Sequence, residues 1–243
     1  MSKKDFFIGT SGWSYQHWGD CFYPDDIPKT KWFDYYLKIF STVEINATFY
    51  HFFADNVYKK WYQQTPKNFK YVLKVPRIIT HRKRLINVKS EIQRFCHSAS
   101  LLKNKCELLL LQLPPNIRYD VERLKQALLC FDDPQKVAVE FRDPKWFTDE
   151  VRELLVELKV TFCSADSPNT ELLDWVTSDI AYIRLHGHKK WYEYNYSLSE
   201  LKNIAKLARK MKKQGAEKVY VFFNNDYACY APKNAMRLME ILC

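Results

Sequence analysis

Residues 181–187, which read Ala-Tyr-Ile-Arg-Leu-His-Gly, decide the fold. An apolar run of this length, with polar side chains only toward its end, is typical of a strand buried on both faces of a parallel sheet. Similar runs recur along the whole chain. The predicted strands are Phe6–Thr10, Thr42–Asn46, Tyr71–Val75, Leu108–Leu113, Val137–Phe141, Val160–Ser164, Ala181–His186 and Val219–Phe223.

Segments with apolar residues at helical spacing separate these runs. Strict alternation of strand and helix predicts the α/β class and a single (β/α)8 TIM-type barrel, with residues 1–243 as one domain. The alternative is an open doubly wound sheet, but the turn at residues 9–12 lacks the GxGxxG spacing that such sheets use. The predicted helices are Lys29–Phe40, Asn56–Gln64, Val88–Lys103, Val121–Cys130, Asp149–Leu158, Glu171–Val176, Leu198–Lys213 and Lys233–Leu242.

The chain is basic, with 38 Lys and Arg residues against 28 Asp and Glu residues and a formal net charge of +10. This charge favours anionic partners, either small molecules or nucleic acid. The excess is spread along the chain, and its densest cluster, residues 81–84, is also what an ordinary solvated loop contains.

The 7 cysteines form no CxxC pair, which argues against a thiolate metal site. We expect them to be reduced and packed as small apolar residues, Cys163 among them, in a cytoplasmic protein. Residues 1–9 contain no apolar stretch long enough for a signal peptide, and no run is long enough to span a bilayer, so no membrane partner is predicted.

Polar residues gather where the predicted strands end. Inward-facing side chains alternate along a barrel strand, and barrel enzymes place their active sites at the C-terminal ends of the strands. Both signs of charge therefore converge in one predicted pocket, rimmed by aromatic residues such as Trp13, Tyr15 and Trp146. The polar residues of this pocket are Glu44, Asn46, Lys74, Gln112, Glu140, Arg142, Asp166, Arg184, His186, Asn224, Asn225 and Asp226.

Motifs along nearly the whole chain resemble those of the YecE-like family, also called domain of unknown function 72. They include residues 8–15 (Ile-Gly-Thr-Ser-Gly-Trp-Ser-Tyr), 43–46 (Val-Glu-Ile-Asn), 112–115 (Gln-Leu-Pro-Pro), 184–187 (Arg-Leu-His-Gly) and 223–225 (Phe-Asn-Asn). The resemblance implies a TIM-type barrel and no established activity. The chain departs from the family pattern after Arg142, where Asp143-Pro144 stands in place of a frequent His.

The first functional hypothesis is an enzyme, of hydrolase or isomerase type, that acts on a phosphate-bearing or other anionic substrate. Lys74, Arg142 and Arg184 would hold the anion. Glu140 or Glu44 would be the general base, and His186 or His81 the general acid, with Asp226 as a further catalytic candidate.

Three alternatives stay open. A nucleic-acid-binding or nuclease-like protein would use the basic, aromatic rim, and a glycosidase would use Glu44 and Glu140 as its carboxylate pair. A barrel plugged by salt bridges would do no chemistry. No cofactor is predicted; the other interpretation of the acidic residues is an oxygen-rich Mg or Mn site. The ligands of that site would be Glu44, Glu140, Asp166, His186 and Asp226.

Overall fold

The computed structural model describes residues 5–19 and 21–242. In this part of the chain, eight parallel strands form one sheet that curls into a nearly closed barrel, so the predicted α/β barrel is confirmed. Strands β1 and β8 pair with each other, and every other ladder joins strands that are consecutive in sequence. The strands are β1 (Phe6–Thr10), β2 (Thr42–Ile45), β3 (Lys70–Lys74), β4 (Cys106–Gln112), β5 (Val137–Glu140), β6 (Thr161–Asp166), β7 (Ile180–Leu185) and β8 (Lys218–Phe223).

Strands β1 and β2 close the barrel by a close approach of their backbones. A parallel bridge joins Ser11 to Glu44. A Cβ atom on Gly9 would lie 2.5 Å from the carbonyl oxygen of Thr42, so only glycine fits at this position.

Helices cover the barrel, but the predicted helix Glu171–Val176 is wrong, because residues 171–177 are irregular. Hydroxyl groups hold this connection along β6: Ser164 Oγ accepts from the backbone N–H of Leu173 at 2.8 Å. Trp175 packs on Phe162, with ring centroids 4.9 Å apart. The helices are α1 (Trp32–Ile39), α2 (Ala47–Tyr50), α3 (Asp55–Gln64), α4 (Lys89–Ser100), α5 (Val121–Leu128), α6 (Asp149–Glu157), α7 (Leu198–Lys213) and α8 (Tyr230–Leu242).

Two short elements that the sequence did not predict lie beside the C-terminal ends of the strands. Helix α2 follows β2 directly, and a single π-helical turn, Ile78–Arg82, follows β3. These two elements carry Phe49, Tyr50 and His81.

An apolar plug fills the middle of the barrel interior. Strand alternation then places polar side chains directly above this plug, two residues further along β3, β4, β5 and β7. Each of these polar residues is buried: Lys74, Gln112, Glu140 and Arg184. The plug itself consists of Val72, Leu108, Leu110, Ala138, Cys163, Ile180, Tyr182, Tyr220 and Phe222.

The cysteines differ in part from the expectation. Cys21 and Cys229 form a disulfide, with Cα atoms 6.2 Å apart, so the prediction of reduced thiols is wrong for this pair. Pairing of β1 with β8 brings their following loops together across 208 residues of sequence, which spacing alone does not reveal. Cys96, Cys106, Cys130 and Cys163 are free, and Cys163 is core as expected, whereas Cys243 lies outside the described residues.

Within the described residues, no helix has both the length and the apolar character needed to cross a membrane. The first four residues of the N-terminal stretch 1–9 lie outside the described part.

Candidate functional site

The centre of the site is a buried ion cluster built on Arg184. Its guanidinium binds Glu44 in a bidentate manner, with Nη2 donating at 2.7 Å and Nε at 3.0 Å, and its Nη1 donates to Glu140 at 2.9 Å. The hydroxyl of Tyr182 donates to the second oxygen of Glu44. Arg184, Glu44 and Glu140 are all fully buried. Burial alone would lower the pKa of Arg184, but Glu44 and Glu140 hold it well above its usual value, so this guanidinium is permanently charged.

Glu140 connects this cluster to Arg142 and His186. Its second oxygen contacts Arg142 Nε and lies 3.1 Å from His186 Nε2. Burial would raise the pKa of Glu140, yet Arg142 and Arg184 hold it well below its usual range. Glu140 is therefore ionised and occupied on both oxygens, which is poor geometry for the general base that the sequence predicts.

His186 is fully buried, and a chain of amides fixes its orientation. Asn224 Nδ2 lies 2.9 Å from His186 Nδ1, and Asn46 Nδ2 donates to Asn224 Oδ1 at 3.3 Å. Burial and the two neighbouring arginines hold the pKa of His186 well below its usual value. Its Nε2 atom lies 3.1 Å from Glu140 Oε1, 3.1 Å from Arg142 Nη2 and 3.2 Å from Arg184 Nη1.

Above the cluster opens a pocket of about 240 Å³, which we call the mouth pocket. Lys74 and Arg142 supply its cations, and each is stacked on an aromatic ring: Lys74 Nζ lies 4.2 Å from the centre of Phe49, and the Arg142 guanidinium lies 4.5 Å from that of Trp191. No carboxylate lines the pocket in the described part of the chain. The lining residues are Phe49, Tyr50, Lys74, His81, Gln112, Pro115, Arg142, Asn169, Trp191 and Tyr192.

Two titratable groups of the mouth pocket have displaced pKa values. Burial, then Arg184 and Arg142, lower the pKa of Lys74 to about 7, against the opposing effects of Glu140 and Glu44. Burial and the nearby Lys74 lower the pKa of His81 to about 4. His81 and His186 are thus both neutral at pH 7, so neither supplies the proton of the predicted general acid.

Asp166 and Asp226 do not join the cluster, although the sequence predicts that they do. Asp166 faces outward, where it accepts from Tyr196 Oη at 2.5 Å and lies 3.5 Å from His188 Nδ1. Asp226 lies in the loop after β8, with its Oδ2 atom 3.7 Å from His17 Nε2. The two carboxylates end in different surroundings because Asp166 is one residue out of phase with the inward face of β6 and Asp226 lies beyond the end of β8.

The predicted Mg or Mn ligands consequently do not converge: Glu44 and Glu140 are bound to one guanidinium, and Asp166 and Asp226 lie elsewhere. Among residues 5–19 and 21–242, no three His, Cys, Asp or Glu side chains are grouped as a metal site.

Four further predicted binding residues lie outside the mouth pocket. Trp146 is buried and stacks on Phe141 at 5.2 Å, so it is core. Asn225 donates to the carbonyl of Tyr194 at 2.7 Å. Trp13 and Tyr15 line a separate small cavity beside Asn46, of about 190 Å³.

Sequence reasoning left Tyr182, Asn169 and Tyr192 out of the site. Tyr182 lies two residues before Arg184 on the same face of β7, so strand alternation would have found it. Asn169 and Tyr192 lie in irregular connections, where no periodicity marks the direction of a side chain.

A second cavity, the outer groove, adjoins the mouth pocket across Phe49 and Tyr50 and measures about 520 Å³. It contains Arg77, Arg82 and Arg94, none within 4.0 Å of a carboxylate in the described part of the chain. Its one acidic residue, Glu91, is paired with Lys83 at 2.5 Å. The groove is lined by Phe49, Tyr50, His51, Phe52, Pro76, Arg77, Ile78, Arg82, Ser90, Glu91 and Arg94.

The fold and this site define a class: TIM-type barrel proteins with a cationic and aromatic pocket at the C-terminal ends of the strands. The family described as "Protein of unknown function DUF72" matches residues 7–243, and the chain belongs to that family. The resemblance inferred from the motifs is thereby confirmed.

Relatives match over nearly their whole length. The UPF0759 protein YunF of Bacillus subtilis (strain 168) is 26% identical over 273 residues, which cover 97% of this chain and 94% of YunF. The crystal structure of a DUF72 family protein (TM1631) from Thermotoga maritima superimposes with a TM-score of 0.90 at 27% identity, covering 98% of this chain and 99% of the other. A DUF72 family protein (EF0366) from Enterococcus faecalis, at 20% identity, shares the fold with a TM-score of 0.86, covering 98% of this chain and 95% of the other. None of these names states an activity.

Proposed function

We propose that the chain is an enzyme that binds a small phosphate-bearing or other anionic substrate in the mouth pocket. The observation that carries the proposal is the charge of the lining: Lys74 and Arg142 face the cavity, and no carboxylate does within the described residues. Beneath them, Glu44 and Glu140 are already bound by the guanidinium groups of Arg184 and Arg142.

Within this proposal, Arg142 is the anion-binding group. Its Nε contacts Glu140, but its head group lies at the pocket surface against Trp191. Guanidinium groups bind phosphate and carboxylate through parallel hydrogen bonds. Arg184 is fully buried and bound to two carboxylates, so we assign it the role of positioning Glu140, and through it Arg142, rather than contacting the substrate.

We propose that the reaction is a hydrolysis or an isomerisation, and both need a proton acceptor. The neutral forms of Lys74 and His81 are the acceptors that line the pocket. A glycosidase is a weaker proposal, because Glu44 and Glu140 are buried on one guanidinium beneath the pocket.

Calorimetric titration with inorganic phosphate tests the anion site. We expect binding to the intact chain, and a loss of about tenfold or more in Arg142→Gln, since a charge-assisted contact contributes roughly 1.5–3 kcal/mol. The matched control is Arg82→Gln, the same change in the outer groove, which should leave phosphate affinity unaltered. Equal affinity of Arg142→Gln and the parent would contradict the proposal.

A second candidate function is binding of single-stranded nucleic acid, and the outer groove favours it. Three arginines lie beside the exposed ring of Tyr50 and the half-buried rings of Phe49 and Phe52, continuous with the mouth pocket. They combine phosphate-binding charge with surfaces on which bases stack. Arg94 already stacks on Phe52 at 4.6 Å.

Fluorescence anisotropy with a labelled oligonucleotide, measured over a range of salt concentrations, tests this second candidate. We expect steep salt dependence, reduced in slope by the double variant Arg82→Gln/Arg94→Gln but less so by Arg142→Gln. Absent or salt-insensitive binding would remove the candidate.

A further inference from the structure

Among the lysines of the described residues, Lys74 and Lys105 are almost completely buried, and they differ in what their amines touch. Lys105 Nζ donates to the carbonyl oxygens of Tyr62 and Thr65, both at 2.6 Å, and to Thr65 Oγ1 at 3.1 Å. Lys74 is only 9% exposed, yet its Nζ has no carboxylate within 4.0 Å among the described residues and instead faces the ring of Phe49. Lys105 is thus fully bonded, whereas Lys74 Nζ is directed at the mouth pocket.

The groups around Lys74 disfavour its charged form. Arg184 on β7 and Arg142 after β5 are cationic, and the anions Glu140 and Glu44 are engaged by those same guanidinium groups. His81 in the π-helical turn is neutral, and Gln112 on β4 carries no charge. The ring of Phe49 attracts the protonated amine, but burial and the two guanidinium groups oppose it. A nucleophilic lysine must be neutral to react.

We propose that Lys74 Nζ is a nucleophile that forms an imine with an aldehyde or ketone substrate whose anionic group is bound by Arg142. The inference rests on the proposed anion site and adds the carbonyl group as the reacting centre. The arrangement of a strand-end amine and a neighbouring guanidinium places both ends of such a molecule within one cavity of about 240 Å³.

Imine formation breaks the C=O double bond of the substrate and releases its oxygen as water. The lone pair of the neutral amine attacks the carbonyl carbon, and an N–C bond forms to give a carbinolamine. The C–O bond then breaks, and the oxygen leaves as water with one hydrogen from the amine and one proton from solvent. The protonated imine that results is the electron sink for a following isomerisation or C–C cleavage.

Reductive trapping tests the proposal. The chain is treated with pyridoxal 5′-phosphate, an anionic aldehyde, or with the smaller glyoxylate, and the imine is reduced with borohydride or cyanoborohydride before peptide mapping. At pH 7 the neutral fraction of an amine with a pKa of about 7 is about a thousandfold larger than that of an ordinary lysine. We therefore expect Lys74 to be modified first, with half-maximal rate near pH 7, while exposed lysines react only at higher pH.

The controls are built from the same chain. Lys74→Met should lose this adduct, whereas Lys189→Met, an exposed lysine on the loop after β7, should keep it. Lys105 serves as the buried comparison in the same peptide map and should stay unmodified. Phosphate-free pyridoxal should react more slowly than pyridoxal 5′-phosphate, and Arg142→Gln should abolish that difference.

Failure of the imine and failure of the anion site give different results in these experiments. Modification of exposed lysines with Lys74 untouched by both aldehydes overturns the imine, even if phosphate binds calorimetrically. Modification of Lys74 that neither inorganic phosphate nor Arg142→Gln affects supports the nucleophile and overturns the anion site. Protection of Lys74 by phosphate supports both.

Discussion

Each end of the barrel carries an ion cluster, half-buried at the N-terminal ends of the strands and fully buried around Arg184 at the C-terminal ends, and the clusters differ in whether every charge has a partner. At the N-terminal ends of the strands, Glu107 binds Lys70 at 2.9 Å and Lys218 at 2.6 Å. At the C-terminal ends, Arg184 is equally well paired, but Lys74 beside it has no anionic partner within the described residues. In barrel enzymes the first end contributes stability and the second carries chemistry. This difference supports the proposal that the amine of Lys74 reacts with a ligand of the mouth pocket.

The largest effect on stability should come from breaking the buried ion cluster built on Arg184. Arg184→Met leaves Glu44 and Glu140 buried without their common partner, which typically costs about 3–5 kcal/mol. We expect the free energy of unfolding, measured by urea denaturation at pH 7, to fall by about that amount. A loss below roughly 1 kcal/mol would contradict the view that both carboxylates depend on Arg184.

Removing the unpaired amine of Lys74 should stabilise the protein instead of destabilising it. Burial lowers the pKa of Lys74 to about 7, below its value in the unfolded chain, so the folded state binds this proton less tightly. The loss of stability caused by burying the protonated amine is fully present below pH 7 and disappears as the pH rises toward about 10.5. Lys74→Met should therefore raise the free energy of unfolding by about 2–4 kcal/mol at pH 7, with less gain at pH 9.

Lys105→Met is the matched control for this reversal, because it removes the other buried amine together with its three hydrogen bonds. It should lower stability by about 1–3 kcal/mol. If both lysine variants were destabilised alike, the distinction between a bonded and an unbonded amine would fail.

A smaller effect is expected at the N-terminal end. Burial would raise the pKa of Glu107, but Lys218 and Lys70 hold it below its usual value, so its stabilisation exists above pH 5 and is lost as the pH falls through the lowered pKa. Glu107→Gln should cost about 1–3 kcal/mol at pH 7 and progressively less in acid. Phosphate affinity in calorimetry should not change, and a change would mean that the two ends are coupled.

The sequence predicted the members of the buried ion cluster built on Arg184 better than it predicted the polar residues near the strand ends around it. Glu44, Lys74, Glu140 and Arg184 lie on strands, where a period of two dictates which side chains face the barrel axis, and His186 follows β7 directly in the same phase as Arg184. Once the strands were assigned, these residues had to converge. Asp166 and Asp226 were wrongly grouped with them, because Asp166 has the opposite phase and Asp226 lies beyond the strand.

Features set by contacts distant in sequence were not predictable in this way. The connection 171–177 has the composition of a short helix, yet its hydrogen bonds go to β6 instead. Ser164 Oγ accepts from the backbone N–H of Leu173, and Thr177 Oγ1 accepts from that of Phe162. The Cys21–Cys229 disulfide and the outer groove likewise depend on which loops become neighbours when β1 meets β8 and the π-helical turn forms after β3.

The smallest predicted effect concerns the ring beneath Arg142. Trp191 lies 4.5 Å from that guanidinium, and a cation–π contact of this kind contributes about 0.5–1 kcal/mol. Trp191→Ala should therefore weaken phosphate binding by roughly two- to fivefold in calorimetry, because Arg142 loses the surface that holds its head group at the pocket. Trp175→Ala is the control, since Trp175 contacts Arg152 at 5.9 Å away from the mouth pocket. If Trp175→Ala weakened phosphate binding as much as Trp191→Ala, the loss would reflect general destabilisation. The stacking of Trp191 on Arg142 would then contribute nothing specific to the site at the C-terminal ends of the strands.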